Sequence, residues 1–225
     1  MAPTAKICIG GAEYEVDTQK IPYLASFLKF QKHSGQADAA VPEHGGIPHF
    51  GIINTGVEDG FRQFFRRMPT QLSEYHTLCE TLEFLAIDTL GGRDMKKILK
   101  DLREGKEDYD PQERHTIPGN KSLARDSAFR LLYIFLLGEF ASDALDSNMA
   151  YNATLFVVSH RAVFKYKTRK MVREAFEERF RASEKQQAGL DKWPLSRGSI
   201  DESQEDDATT EVEDYGDDFD SDWSS

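Results

Sequence analysis

The chain has 225 residues, of which 39% are hydrophobic and 11% aromatic, enough for a core in one or two domains. Its net charge of −11 belongs to one segment, because residues 199–225 carry twelve acidic and no basic residues, leaving 27 acidic against 28 basic elsewhere. Two distant cysteines, no signal-peptide pattern and no apolar run of membrane length argue against disulfide-rich, secreted and membrane classes. We expect a soluble intracellular protein of the cytoplasm or nucleus.

The first predicted elements are a hairpin and a helix. Residues 6–9 and 13–16 alternate apolar and polar side chains, and Gly10-Gly11 can supply the positive φ angles of a tight turn. A helix carrying Leu24, Phe27, Leu28 and Phe30 is predicted next, followed by a polar loop over residues 31–46. Residues 47–53 predict a third strand at a sheet edge, because Pro48 cannot donate a backbone hydrogen bond.

Three helices are predicted after this strand. Residues 57–67 form a short amphipathic helix that Pro69 ends, and residues 73–90 form a clearer one that Gly91-Gly92 end. Residues 94–103 form a charged helix, and a polar connector follows to residue 120.

A second helical region is predicted from Ser122 onward. The run LLYIFLL at residues 131–137 is apolar around its whole circumference, which predicts a central helix that continues to about Leu145. Asn148 is predicted to cap another helix through Phe164. A long, basic and then mixed helix is predicted to follow, to about Gln187.

The order of the early elements resembles that of a BTB/POZ domain. The hairpin ICIGGAEYEV at residues 7–16 is similar to the opening hairpin of the tetramerisation-domain branch. YLASFL at 23–28, DGFRQFF at 59–65 and LEFLAIDTL at 82–90 resemble the helices of the same family. Further along, LYIFLLGEF at 132–140, followed by Asn148, resembles a helix that follows the domain in many fungal BTB-domain proteins.

The resemblance implies a fold and a function. We expect an α+β protein with a BTB/POZ-like domain at 6–92, a helical extension at 93–195 and a disordered acidic tail at 196–225. The family resemblance implies a non-enzymatic interaction module that self-associates or acts as an adaptor, for instance for a cullin-type ubiquitin ligase. The partner-facing side chains would come from the second and third helices: Phe61, Phe64, Phe65, Tyr75, Leu78 and Leu82.

Catalytic and metal-binding patterns are weak in this sequence. His76 and Cys79 are three residues apart on one predicted helix, but Cys79 falls on its apolar stripe, which favours packing. His44 and His49 lie in a predicted loop, where solvation is favoured over metal binding. Gly10-Gly11 lacks the sequence context of a phosphate-binding loop. We therefore predict no enzyme activity, no cofactor, no metal and no small-molecule substrate.

Residues 160–181 raise an alternative function. This segment carries Arg161, Lys165, Lys167, Arg169, Lys170 and Arg173, so a nuclear factor that contacts nucleic acid or chromatin is the alternative hypothesis. Apolar and acidic residues are interspersed with the cations, which favours the solvated face of a packing helix. The acidic tail, with Tyr215, Phe219 and Trp223, is typical of a solubilising or partner-binding segment, and it could fold back on these cations.

Overall fold

The structure is a computed structural model that describes residues 4–33, 41–103, 121–138 and 144–195. Within these ranges the chain is mixed α+β, as predicted, with a small sheet and nine helices. The predicted connector at 104–120 and the acidic tail lie outside the described residues. The strands are β1 (Thr4–Ile9), β2 (Ala12–Asp17) and β3 (Glu43–His44), and the helices are α1 (Pro22–His33), α2 (Phe50–Asp59), α3 (Arg62–Arg67), α4 (Leu72–Phe84), α5 (Met95–Leu102), α6 (Lys121–Leu137), α7 (Ala144–Ser159), α8 (Tyr166–Arg179) and α9 (Glu184–Asp191).

The predicted hairpin is confirmed. β1 and β2 pair antiparallel, and Gly10 and Gly11 have φ angles of 59° and 85°, as a tight two-residue turn requires. The sheet order is β2-β1-β3, with β3 parallel to β1 at one edge. Ile7, Ile9 and Val16 point into the core, so the alternation seen in the sequence gives the sheet one buried face.

The predicted third strand at residues 47–53 is wrong. The strand is Glu43–His44, and α2 begins at Phe50 within the predicted range. Phe50, Ile53 and Val57 are spaced three and four residues apart, which places them on one side of a helix that packs on the core. The apolar run at 47–53 was too short to separate strand from helix. Val57, which completes the helical spacing, lies after the end of that run.

The predicted helix over 57–67 is two helices. Gly60 adopts a φ of 100° between α2 and α3, a backbone conformation that glycine tolerates and most residues do not. Asp126 from α6 accepts a 2.8 Å hydrogen bond from the Arg62 backbone N–H, which satisfies a donor at the start of α3. A contact from 64 residues away therefore stabilises the break.

The predicted helix over 73–90 ends earlier, at Phe84. Ala86 takes a left-handed conformation with a φ of 56°. The Ile87 N–H donates to the Leu82 carbonyl at 3.0 Å, and the Ala86 N–H donates to the Glu83 carbonyl at 2.9 Å. These two bonds form a Schellman motif, with the buried side chains of Leu82 and Ile87 as its apolar contact. Gly91-Gly92 therefore do not end this helix; Ala86 occupies the position where glycine is usual.

The central position predicted for residues 131–137 is confirmed. They lie in α6, which packs against α3, α4, α5 and α8. Buried residues from the sheet to α9 form one continuous core cluster. Its α6 members are fully or almost fully buried, among them Ala128, Phe129, Leu131, Leu132 and Phe135.

The later helix boundaries differ from the prediction. α6 ends at Leu137, and α7 runs from Ala144 to Ser159, so Asn148 lies inside α7 and does not cap it. The long helix predicted to reach Gln187 is divided into α8 and α9. The break contains Ser183, whose side chain accepts from the Gln186 N–H while the Gln186 side chain accepts from the Ser183 N–H. This capping box starts a new helix, and no apolar pattern marks it.

We expect the change Ala86→Gly to stabilise the protein by about 0.5–1 kcal/mol, because glycine removes the steric cost of the left-handed conformation. Ala86 is exposed, so no packing is lost. Thermal or urea unfolding measures the effect. The matched control is Ala25→Gly within α1, which should destabilise by about 1 kcal/mol because its backbone is helical. Equal destabilisation by both changes would contradict the Schellman geometry.

Candidate functional site

Five of the six predicted partner-facing residues lie in the core. Phe64, Phe65, Tyr75, Leu78 and Leu82 are buried, and Phe61 is half-buried and packs against the core. Phe64 and Phe65 contact the ring of Phe129 on α6, with ring centroids 4.6 and 5.9 Å apart. These side chains stabilise the fold, and the exposed apolar surface of the described chain lies elsewhere.

An aromatic patch occupies the surface where α1, β3 and α4 meet. We define it as Tyr23, Phe27 and Phe30 on α1, His44 on β3 and Phe84 on α4. Phe30 is 69% exposed and Phe84 54%, while Tyr23 and Phe27 are half-buried. Tyr23 and Phe84 place their ring centroids 4.5 Å apart, and Phe27 lies 4.9 Å from the imidazole of His44. Tyr23, Phe27, His44 and Phe84 therefore form a continuous group of rings. Phe30 lies on the same side of α1, three residues beyond Phe27.

Helix periodicity explains how α1 carries both core and patch. Leu24 and Leu28 are buried on one side. Tyr23, Phe27 and Phe30 are spaced four and three residues apart, so they form a second apolar stripe beside the first. The stripe of Leu24 and Leu28 is enough to pack α1 on the core, so the second stripe is additional apolar surface. This second stripe is the sequence signal by which the patch could have been found.

His44 connects the strand to the helix. Its Nδ1 lies 2.8 Å from the Gly45 carbonyl oxygen, which can only accept, so Nδ1 carries the proton in the neutral imidazole. Its Nε2 then accepts the hydrogen bond from the Tyr23 hydroxyl at 2.9 Å. The Tyr23 N–H donates to the Leu85 carbonyl at the end of α4. These bonds fix the relative positions of the three elements that carry the patch.

The two helix ends that carry the exposed rings differ in charge. Lys29 and Lys32 are exposed near the C-terminal end of α1, whereas Glu80 and Glu83 are exposed near the C-terminal end of α4. Phe30 lies beside the lysines along the chain, and Phe84 beside the glutamates. The end of α1 that carries Phe30 is therefore cationic, and the end of α4 that carries Phe84 is anionic.

The histidine and cysteine residues weighed for catalysis do not form a reactive group. Burial, with a further contribution from Glu80, raises the pKa of the Cys79 thiol, which keeps it protonated and a poor nucleophile. His76 pairs with Glu80, at 3.3 Å between Nδ1 and Oε1. His49 lies 3.3 Å from Glu74, away from the Tyr23 contact of His44. Within the described ranges, no group of three or more His, Cys, Asp or Glu side chains could hold a metal ion.

The predicted basic helix is a turn followed by α8, and its cations divide into two sets. Arg169 is buried and donates to the Phe164 carbonyl, Lys170 pairs with Glu174 at 2.8 Å, and Arg173 binds Glu177 and Asp191. These three serve the fold. Arg161 and Lys165 are exposed and Lys167 is half-buried, all near the start of α8.

Comparisons with protein-family models, with curated proteins and with solved structures give no match for this chain. None of the helices in the described ranges is both long and apolar enough to cross a membrane.

We expect the stability of the protein to fall above about pH 8.5, partly through Cys79. The unfolded thiol ionises there while the buried thiol keeps its proton, so the unfolded state binds fewer protons and the free energy of unfolding decreases as pH rises. Urea unfolding between pH 9 and 10.5 measures the slope. In the Cys79→Ala variant, the free energy of unfolding should fall less steeply with pH, by roughly 1 kcal/mol per pH unit. Equal slopes would show that Cys79 does not remain protonated.

Proposed function

We propose that this protein is a non-enzymatic protein-interaction module that self-associates through the aromatic patch. The observation that carries the proposal is the placement of exposed apolar side chains. Within the described residues the exposed large hydrophobics are Phe30, Val41 and Phe84. They lie on α1, two residues before β3 and on α4. Single exposed hydrophobics are ordinary, but a contiguous group marks an interaction surface.

A second copy of the chain is the partner that fits this surface best. Tyr23 and Phe30 are seven residues apart on α1, or about 10 Å along the axis. If two copies of α1 pack antiparallel about a two-fold axis, Phe30 of each copy faces the Tyr23 and Phe84 rings of the other. A two-fold interface requires such a self-complementary surface.

The flanking charges favour the same arrangement. Antiparallel α1 helices bring the end of α1 that carries Lys29 and Lys32 in one copy near the end of α4 that carries Glu80 and Glu83 in the other. The contact is then repeated by symmetry. Rim charges of this kind fix the orientation of an interface more than they add to its affinity, which the aromatic rings supply.

The resemblance to BTB/POZ domains belongs to this proposal. Its support is the order hairpin, helix, third strand and helices, together with the quoted motifs. Adaptor work for a cullin-type ligase stays a prediction of that resemblance. The alternative of nucleic-acid binding along residues 160–181 is less favoured, because Arg169, Lys170 and Arg173 are engaged within the fold.

We expect Phe30→Gln and Phe84→Gln each to weaken self-association at least about tenfold, because each removes an exposed ring from the proposed interface. Sedimentation equilibrium of the full chain measures the dissociation constant. Glu178→Gln, at an exposed position on α8, is the control and should leave it unchanged. A wild-type chain that stays monomeric near 1 mM, or a Phe30→Gln chain that associates normally, would contradict the proposal.

A charge exchange tests the orientation. One chain carries Lys29→Glu with Lys32→Glu, and a second carries Glu80→Lys with Glu83→Lys. Each alone should associate less than wild type, because like charges then face each other, while an equimolar mixture should form heterodimers. Failure of the mixture to associate better than either chain alone would overturn the antiparallel arrangement.

A further inference from the structure

Six cationic side chains lie on three parts of the chain that hydrogen bonds join to one another. This basic surface consists of Arg66 and Arg67 at the end of α3, Arg125 on α6, Arg161 and Lys165 in the turn before α8, and Lys167 in its first turn. Arg66, Arg67, Arg161 and Lys165 are exposed. The surface is distinct from the aromatic patch in its residues and in its chemistry.

Hydrogen bonds hold these parts together. The Arg125 Nε donates to the Val163 carbonyl at 2.9 Å, which connects α6 to the turn that contains Arg161. The Lys167 Nζ donates to the Met68 carbonyl at 3.0 Å, which connects α8 to the residue after Arg67. Burial first, and then the positive charges of Arg66 and Arg62, lower the pKa of Arg125.

Among the described residues, the carboxylates nearest these cations along α6 and α8 pair with other residues. Asp126 is close to Arg125 in the chain, but its carboxylate contacts Arg62, through the backbone N–H at 2.8 Å and Nη1 at 3.4 Å. On α8, Glu174 pairs with Lys170, one turn beyond Lys167. Neither carboxylate is paired with the exposed Arg66 or Arg67. Cations gathered in this way attract an extended polyanion.

The last described residues lie beside this surface. The Arg161 Nη2 donates to the Pro194 carbonyl at 3.2 Å, so the chain leaves the fold next to one of the six cations. The first acidic residue of the tail, Asp201, is seven residues further on. Seven residues span up to about 25 Å. Residues 199–225 then supply twelve acidic and no basic side chains.

We propose that the acidic segment 199–225 docks in cis on the basic surface. The charges are complementary and the chain delivers the segment to the site. Because the segment is joined to the fold by a short tether, its effective concentration at the basic surface is of the order of millimolar. Free nucleic acid has to compete with that concentration. The docked segment thereby covers the cationic side chains, which would otherwise bind nucleic acid or another polyanion without sequence specificity. The inference does not depend on self-association, because every contact lies within one chain.

Zero-length carbodiimide cross-linking of the full chain, followed by mass spectrometry, tests the proposal. Lys165 and Lys167 should form amide links to acidic residues of the tail in 20 mM salt. The yield should fall at least about fivefold in 500 mM salt, because the screening length shortens to a few ångströms. A mixture of ¹⁴N- and ¹⁵N-labelled chains separates cis from trans links. Links made in trans would join differently labelled chains in about half of all cases, and a mixed fraction near that value would overturn docking in cis.

A matched pair of variants tests the site. Arg66→Gln, Arg67→Gln and Arg161→Gln together should reduce the links at least about threefold, while leaving both reactive lysines in place. The control is Lys96→Gln, Lys97→Gln and Lys100→Gln, which removes the same charge from exposed positions on α5. An equal loss of cross-links in both variants would show that the acidic segment is attracted to positive charge in general, and would contradict the basic surface as its binding site.

Competition with nucleic acid gives a second readout. A chain with its twelve tail carboxylates changed to Asn and Gln should retain a DNA duplex in 50 mM salt at least about tenfold more tightly than wild type, because the cations are then uncovered. Equal retention of the duplex by both chains would show that the tail does not occupy the surface and would overturn the proposal.

Discussion

The packing of Phe129 against the α3 region holds the early and late parts of this chain in one core. Its ring lies 5.8, 4.6 and 5.9 Å from those of Phe61, Phe64 and Phe65. Gly56 makes this possible, because a Cβ at that position would overlap the Phe64 ring. Burial of a phenylalanine is worth roughly 1.5–3 kcal/mol, so these rings outweigh any single surface contact.

Polar contacts around this cluster set its geometry. Arg130 holds its guanidinium 5.3 Å from the centre of the Phe61 ring and donates from Nε to the Thr89 carbonyl. Asp126 binds the start of α3. Both residues are on α6, so the helix that buries the aromatic rings also fixes the segments on either side of α4. The position of α4 in turn decides where Phe84 emerges beside Tyr23, which links the core to the aromatic patch.

Sequence patterns predicted the elements whose signals are local. The glycine pair of the hairpin, the α1 periodicity and the circumferential apolar character of α6 each specify one structure by themselves. The third strand was misplaced because a short apolar run such as Phe50, Ile52 and Ile53 does not separate strand from helix until α2 and its packing are known. The single helix predicted at 57–67 failed because the carboxylate that supports its break, Asp126, comes from a distant helix. The end of α4 was not predicted because alanine, which stands at position 86, has a high helix propensity and does not normally mark a helix end.

The candidate site was missed for a related reason. Periodicity shows that Phe64, Tyr75 and Leu82 share apolar faces, but it does not show what covers them. α6 packs on both α3 and α4, and it begins 39 residues beyond Leu82 in the chain. The second apolar stripe of α1 is different, because Leu24 and Leu28 already supply its core contact. When one side of a helix already packs on the core, further apolar residues on another side indicate an interface. Such additional surface is a better guide than apolar character alone.

Charge connects the two proposed surfaces. Self-association brings together two tails that each carry twelve acidic residues, while the rest of each chain is close to neutral. Free tails would repel each other within a screening length of about 8 Å at physiological salt. A tail lying on its own basic surface directs much of its charge into contacts within its own chain, which lowers that repulsion. Docking in cis would thus favour association at the aromatic patch without adding a contact to the interface.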